Sequence, residues 1–321
     1  MGDVVCVGSC AGVFYALDRV SGKPRGQHDV VGADSVRRQF HGDALLDRGL
    51  LLIGTDASDG DTAYVFAFDP ATAGVRWRQP MGAGVMGDIV RQNDRRYAVT
   101  VVDELVCFDA VSGARKWSYR PEGAVYGYRT SSPIVVGDRV FHADRGGTIR
   151  AFASHDGRLL WRTPRVDPPS TWLGHAGASL TFMSGTDALV RLDPMTGKER
   201  GRTTIAGGPY AGPMAVIGDS LLLLLGSRSL TAFDLSRNQV RWSRPATEEW
   251  TSSRPYVWRD LVLAGERGRL VALGLDDGAV RWTHPLEGTV RGIGTHGDTL
   301  YVGTLKGYVH ALVDQRHAIG P

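Results

Sequence analysis

The chain has 321 residues, of which 42% are hydrophobic and 22% charged, a composition typical of a globular protein with a full core. The formal net charge of +3 is too small to indicate nucleic-acid binding, and no run of 18 apolar residues predicts a membrane span. The three cysteines are too few for a disulfide framework. Cys6 and Cys10 could pair across a tight turn, but free thiols are favoured, and Cys107 lies in a strand pattern that predicts a core position.

The first residues, MGDVVCVGS, lack the basic start and the apolar core of a signal peptide. The sequence as written therefore predicts a cytoplasmic protein. The alternative is an extracytoplasmic location, if the chain is part of a secreted or membrane-anchored parent.

One pattern recurs along the whole chain, as in LVCFDAVSGARKW at 105–117 and LTAFDLSRNQVRW at 230–242. Each copy contains one position that we call the slot. The slot is held in turn by Asp18, Asp69, Asp109, Ala153, Asp193, Asp234, Gly274 and Val313, at spacings of 51, 40, 44, 40, 41, 40 and 39 residues. Eight residues after the slot lies Trp77, Trp117, Trp161, Trp242 or Trp282 in five copies, and Gly26 or Gly201 in two.

Each copy reads as four short strands. An alternating run precedes the slot, a glycine-containing turn such as RVSGK or AVSGA follows it, and a second strand carries the tryptophan. Upstream lie another apolar strand, such as LLLIGTD or LVLAGE, and a further short strand.

Four strands at a period near 40 residues are typical of a β-propeller blade. The sequence predicts an all-β protein: a single domain over residues 1–321 that is an eight-bladed β-propeller of four-stranded antiparallel blades. The alternative is seven blades and a spare hairpin. In either case the repeated tryptophans are predicted to lie flat between adjacent blades, each burying about 150–250 Å².

The two ends of the chain depart from the repeat. Met1 falls at the turn before the second strand of the first blade, and Pro321 falls where the eighth tryptophan would stand. We therefore expect the first blade to lack its innermost strand and the last blade to lack most of its outer strand, unless the tail QRHAIGP folds back to complete a blade.

The copies at 4–23, VVCVGSCAGVFYALDRVSGK, and at 300–312, LYVGTLKGYVHAL, resemble the PQQ-repeat family of β-propellers. The resemblance covers essentially the whole chain and implies the propeller fold. It is less specific for function, because the family includes quinoprotein dehydrogenases, an outer-membrane assembly scaffold and sensor domains of bacterial kinases.

The quinoprotein enzymes of that family carry a vicinal cysteine pair and a calcium-binding set of Glu, Asn and Asp residues. This sequence has no Cys-Cys pair and no CxxCH haem motif. We therefore expect no cofactor and no PQQ-dependent dehydrogenase activity. A calcium site stays an alternative only at Asp43 and Asp88, which are discussed below.

The copies differ most at the segments that lead into each blade, which a propeller gathers around its central funnel. We call the chemically distinctive side chains of these segments the predicted funnel set. The ligand-binding candidates in this set are Arg38, Asp88, Tyr126, Tyr128, Arg129, Trp172, Tyr210, Trp250, Arg254 and Arg291, and the candidates for proton transfer are His41, Asp43 and His175. Arginine and aromatic residues around a concavity are typical of a site for an anionic or planar ligand, or for a protein partner.

Asp43 in FHGD and Asp88 in VMGD occupy matching places on adjacent blades. Two close carboxylates beside His41 could transfer protons, could bind Ca²⁺, or could each complete a turn or a salt bridge. His175 has no partner at a spacing typical of zinc sites, so we expect no metal centre there.

No nucleophile elbow, Walker loop or HExxH motif is present. We therefore predict a non-catalytic propeller that binds a small anionic or aromatic ligand, or docks a protein, at the funnel face. One alternative is an enzyme of bacterial secondary metabolism that uses acid–base chemistry in the same funnel. Another is a sensor module of a membrane kinase.

Overall fold

The computed structural model describes residues 2–34, 39–56, 63–124, 127, 132–165, 172–210, 212–226, 228–248, 250–251 and 253–313. Its strands form eight antiparallel sheets, each built from strands that are consecutive in the chain. The fold is the eight-bladed β-propeller that the repeat predicted, and the seven-bladed alternative is wrong. Within the described ranges, no helix combines the length and the apolar character that crossing a membrane requires.

The contacts between its residues divide the chain into two compact units, Met1–Leu173 and Gly174–Pro321. The first unit holds four sheets. These are β1 (Val4–Gly8), β2 (Val13–Asp18) and β3 (Pro24–Asp29); β4 (Leu45–Asp47), β5 (Leu50–Gly54), β6 (Tyr64–Phe68) and β7 (Val75–Pro80); β8 (Val90–Gln92), β9 (Arg95–Val99), β10 (Leu105–Asp109) and β11 (Arg115–Tyr119); and β12 (Ile134–Val136), β13 (Arg139–Ala143), β14 (Ile149–Ala153) and β15 (Leu159–Arg162). A short helix, α1 (Val30–Asp34), follows β3.

The second unit also holds four sheets, the first of which begins at the last residue of the first unit. They are β16 (Leu173–Ala176), β17 (Ser179–Ser184), β18 (Ala188–Leu192) and β19 (Glu199–Thr204); β20 (Met214–Ile217), β21 (Leu221–Leu225), β22 (Ser229–Asp234) and β23 (Gln239–Pro245); β24 (Tyr256–Trp258), β25 (Leu261–Glu266), β26 (Arg269–Gly274) and β27 (Val280–Pro285); and β28 (Val290–His296), β29 (Thr299–Thr304) and β30 (Val309–Val313).

Within the described residues, six sheets have four strands, and the first and the last have three. Whether the tail completes a blade stays a prediction. The tail at 315–321 lies outside the described residues.

Within each unit the hydrophobic core lies between successive sheets. The second and third sheets share one buried cluster, to which β5 contributes Leu52 and β10 contributes Phe108. The sixth and seventh sheets share another, to which Leu223 and Val262 belong. A single twisted sheet cannot bury both its faces alone, so each blade depends on its neighbours for its core.

A β-bulge explains why the slot is usually aspartate. In seven sheets the pairing between the last two strands slips by one residue at the same place. The residue that has no partner on the neighbouring strand is the seventh after the slot. A bulge changes the direction in which the side chain of such a residue points. The bulged residues are Arg25, Arg76, Lys116, Leu160, Arg200, Arg241 and Arg281.

In the sheets whose slot is aspartate, the bulged side chain turns back to the slot carboxylate. In the fifth sheet, Arg200 Nη2 donates to Asp193 Oδ2 at 2.6 Å. The other carboxylate oxygen, Asp193 Oδ1, accepts the backbone N–H of Met195 at 2.7 Å. The hydrogen bond from Arg200 is the main reason that the pKa of Asp193 lies below its ordinary value, although burial opposes the shift. The aspartate thus closes the turn and anchors the bulge.

Because of the bulge, the eighth residue after the slot faces the next sheet. Trp242 packs against the turn glycine Gly278 of the seventh sheet, and its indole N–H donates to Leu275 O at 2.9 Å. Trp117 repeats the arrangement over Gly157, donating to Ser154 O at 3.3 Å. The predicted position of these tryptophans between adjacent blades is confirmed for both.

We expect Gly278→Ala to destabilise the protein by about 3 kcal/mol. Gly278 has a φ of +65°, and a Cβ there would lie 2.6 Å from two ring carbons of Trp242. The measurement is the urea midpoint at constant m-value. The control is Gly297→Ala, because Gly297 has a φ of +57° and nothing within 4 Å of an added Cβ. The control variant should lose only the free energy of the backbone strain, about 1 kcal/mol. Equal losses of unfolding free energy in both variants would contradict the packing role of Trp242.

Candidate functional site

The predicted pair of aspartates in the first unit forms a link through the backbone. Asp88 Oδ1 accepts the backbone N–H of Asp43 at 3.4 Å, and the backbone N–H of Asp88 donates to Ser132 Oγ at 2.9 Å. A Cβ on Gly42 would lie 2.7 Å from Gly87 O, so the two Gly-Asp turns pack backbone against backbone. This contact joins two turns of neighbouring sheets, and the roles considered for the two carboxylates stay predictions.

His41 is paired with a carboxylate that the predicted funnel set does not contain. Its Nδ1 lies 2.8 Å from Asp56 Oδ2, and both side chains are largely buried. Among the described residues, no three His, Cys, Asp or Glu side chains are grouped so that they could hold a metal ion. A role for His41 and Asp43 in proton transfer stays a prediction.

Four members of the predicted funnel set, Arg38, Tyr126, Tyr128 and Arg129, lie outside the described residues. The others are spread over both units. Trp172 and Arg254 are half-buried, and Arg291 is exposed at a bulge between Val290 and Gly292 of β28.

Two predicted residues of the second unit face the interior. Tyr210 is 3% exposed, and its hydroxyl lies 2.7 Å from Ala206 O, to which it donates, and 2.8 Å from Thr231 Oγ1. These contacts give Tyr210 a packing role, and its role as a ligand contact stays a prediction. His175 is half-buried on β16, and burial holds its pKa below the ordinary value.

The structure places the predicted residue Trp250 in a cleft. The cleft has a volume of about 270 Å³ and lies between the sixth and seventh sheets. One wall is the end of β23 and the segment after it, and the other is the hairpin between β25 and β26. Its lining residues are Arg244, Pro245, Thr247, Trp250, Glu266, Arg269, Val271, Val280 and Thr283. We call this the blade 6–7 cleft.

Glu266 holds the two walls of the blade 6–7 cleft together. It is 2% exposed, and its Oε1 accepts the backbone N–H groups of Thr247 at 2.6 Å and Glu248 at 2.9 Å. Its Oε2 accepts Arg269 Nε at 2.6 Å. Burial alone would raise the pKa of Glu266, but the hydrogen bonds from Glu248, Arg269 and Thr247 outweigh it and keep the pKa below the ordinary value. Glu266 is therefore an ionised, internally satisfied carboxylate.

Sequence reasoning missed Arg244, Thr247, Glu266 and Arg269. One signal for Glu266 was available: it ends the apolar strand LVLAGE, where the corresponding strand of the last copy, LYVGT, ends in threonine. A carboxylate that ends a buried strand needs partners, and that requirement indicates a polar site.

The PQQ-repeat resemblance raises the question of a quinone and its calcium. The described residues do not fit such a group: the free cysteines Cys6, Cys10 and Cys107 are not vicinal, and no described trio of candidate ligands could hold the metal. The exposed Cys10 and the half-buried Cys6 are separate thiols, and Cys107 lies in the core as predicted.

Comparisons with known proteins place the chain in a family. A family model described as outer membrane protein assembly factor BamB matches residues 61–211 and 147–295. The chain is 26% identical over 162 residues to BamB of Burkholderia pseudomallei (strain K96243), covering 48% of this chain and 42% of that protein. It is 25% identical over 229 residues to the polyvinylalcohol dehydrogenase of Sphingopyxis sp. (strain 113P3), covering 52% of this chain and 34% of that protein.

The chain thus spans less than half the length of these relatives. Among solved structures, BamB from Moraxella catarrhalis matches with a TM-score of 0.76 at 16% identity, over 97% of this chain and 94% of that chain, a likeness that concerns the fold. Because the family model covers well over half of its sequence, the chain belongs to the PQQ-repeat family of β-propellers that the BamB model describes.

Proposed function

We propose that this protein is a bacterial docking propeller, which binds a partner protein and acts outside the cytoplasm in the assembly of outer membrane proteins. The family model and the relative from Burkholderia, both named as outer membrane protein assembly factors, support this proposal. The observation that carries it in this chain is the blade 6–7 cleft, where arginine and tryptophan line a concave surface. Tryptophan and arginine are enriched among the residues that dominate protein–protein binding energies.

The size of the cleft suits one side chain of a protein partner. Its volume of about 270 Å³ is enough for such a side chain.

A second candidate function is acid–base catalysis, which the contact between His41 and Asp56 favours. The carboxylate oxygen 2.8 Å from the imidazole nitrogen places side by side two groups of the kinds that serve as general acids and bases. Under this alternative the partner is a small molecule, and no protein contacts the blade 6–7 cleft.

Site-specific photocrosslinking in the native bacterium tests the proposal. Val280 lines the cleft and is 39% exposed, so a photoreactive benzoylphenylalanine there is expected to form a discrete protein adduct. The matched control is Val240, which has the same place in the preceding blade, is 42% exposed and does not line the cleft.

An adduct at position 280 that is missing at position 240, and whose partner is identified by mass spectrometry as a component of outer membrane protein assembly, is the expected result. Identical adduct patterns at the two positions, or none at position 280, would contradict the docking proposal.

A further inference from the structure

The charges of the blade 6–7 cleft do not cancel. Glu266 is ion-paired with Arg269, whose Nε donates to it at 2.6 Å. Arg244, which is half-buried on the opposite wall, has no ion-pair or hydrogen-bond partner for its guanidinium among the residues that the structure describes. Among the described residues that line the cleft, the positive charge of Arg244 therefore has no counter-charge.

Trp250, which lines the cleft, has a hydrogen-bond donor that the fold leaves unused. Trp250 is 6% exposed, and its indole N–H has no hydrogen-bond partner within the described part of the protein. The indole N–H groups of Trp117 and Trp242, in contrast, donate to backbone carbonyls. A buried donor without an acceptor destabilises the folded protein, so a ligand that supplies an acceptor to Trp250 gains binding free energy.

We infer that the blade 6–7 cleft binds a carboxylate group of the partner protein, either an Asp or Glu side chain or its terminal α-carboxylate. This inference rests on the proposed docking function and names the chemistry of the group recognised. Arg244 supplies a charged donor, Trp250 supplies a neutral one, and Val271 provides an apolar surface for the short stem that carries the carboxylate.

The charge of the cleft favours a carboxylate over a phosphate. Glu266 and Arg269 neutralise each other, so Arg244 supplies a single positive charge among the described lining residues, which matches one carboxylate rather than a phosphate dianion.

The test is a titration of the ¹⁵N-labelled protein, followed through the indole N–H signals of its 8 tryptophans. The Trp250 signal is assigned as the one missing from Trp250→Phe. Three probes are used: acetyl-Gly-Glu-Gly-amide, acetyl-Gly-Gly-Gly with a free α-carboxylate, and acetyl-Gly-Gln-Gly-amide as the neutral control. We expect the Trp250 signal to shift with one or both carboxylate probes in the millimolar range and to stay in place with the glutamine probe.

Arg244→Gln is expected to weaken carboxylate binding by a factor of about 10 or more, because it removes a charge-assisted hydrogen bond. Unchanged positions of the other indole signals show that this variant is folded. Arg202→Gln is the matched control, since Arg202 pairs with Glu199 on an exposed strand away from the cleft, and it should leave the affinity unchanged.

The inference is overturned if no carboxylate probe moves the Trp250 signal, if the glutamine probe moves it equally, or if inorganic phosphate binds more tightly than both carboxylates. The comparison of glutamate with glutamine in the wild-type protein decides the question even if Arg244→Gln does not fold. Photocrosslinking from position 280 without any carboxylate response would leave docking intact and remove only the carboxylate assignment. A carboxylate response without crosslinking would support the assignment and contradict the docking function.

Discussion

Asp47→Asn is expected to lower the free energy of unfolding by about 3–5 kcal/mol, because it leaves a buried arginine without its counter-charge. Arg96 on β9 is 1% exposed, Asp47 at the end of β4 is 4% exposed, and Arg96 Nε donates to Asp47 Oδ2 at 2.7 Å. Arg96 also donates to Asn93 O at 3.0 Å, but a neutral carbonyl does not compensate a full charge. Urea denaturation of the variant and the wild type, compared at equal m-value, measures the loss.

The control for Asp47→Asn is the same carboxylate-to-amide change in an exposed ion pair. Glu199 and Arg202 have side chains that are 44% and 47% exposed, so Glu199→Gln should cost within about 1 kcal/mol. The double variant Asp47→Leu with Arg96→Met should lose less free energy of unfolding than Asp47→Asn. It also removes the charge of Arg96, which Asp47→Asn leaves buried without a counter-charge. If Asp47→Asn and Glu199→Gln cost the same, Arg96 is not held by Asp47 in solution.

The second large effect concerns His142, which is fully buried on β13. Neither of its ring nitrogens has a hydrogen-bond partner among the described residues. Burial is the main reason that the pKa of His142 is lowered to about 4 from 6.5; the nearby Asp144 opposes the shift and Arg150 adds to it. A histidine whose folded-state pKa is depressed contributes stability that is complete above pH 6.5 and is lost as the pH falls through 4. The loss amounts to about 3 kcal/mol for a shift of this size.

His142→Leu should therefore flatten the dependence of unfolding free energy on pH between about 6.5 and 4, and should stabilise the protein most at the acid end. The corresponding positions of two other sheets are apolar: Ala98 in the third and Ala264 in the seventh. The measurement is a set of urea transitions across this pH range. His155→Leu is the control, since His155 is 66% exposed, and its pH profile should run parallel to that of the wild type. A parallel profile for His142→Leu as well would contradict the buried, neutral state of His142.

Asp103 acts in the opposite direction within the same range. Burial raises the pKa of Asp103 to about 6, against hydrogen bonding and charge from Arg145. Its contribution to stability is complete below pH 3.8 and is lost as the pH rises through 6. The wild-type profile is therefore shallower than His142 alone would make it, and the effect of His142→Leu is read as the difference between the two proteins.

The strands, the blades and the tryptophans between them were predictable because their signals are local. Alternating runs and turn glycines lie within about ten residues of each other, and the slot repeats at nearly constant spacing. The sequence by itself therefore determined the strands of each blade and the number of blades. It also determined that Trp242 and Trp117 face the next blade.

Other features were decided by the tertiary structure, because they depend on which strands and loops become neighbours. The bulge that aims Arg200 at Asp193 exists only when the last two strands pair. The hydroxyl of Tyr210 contacts Ala206 and Thr231, and only the folded chain brings these partners within hydrogen-bond distance. The blade 6–7 cleft joins Arg244 and Glu266, residues from two different sheets, and no periodic signal links them. Periodicity reports which face of a strand is buried, whereas a site arises where the edges of two sheets meet, and only packing determines that meeting.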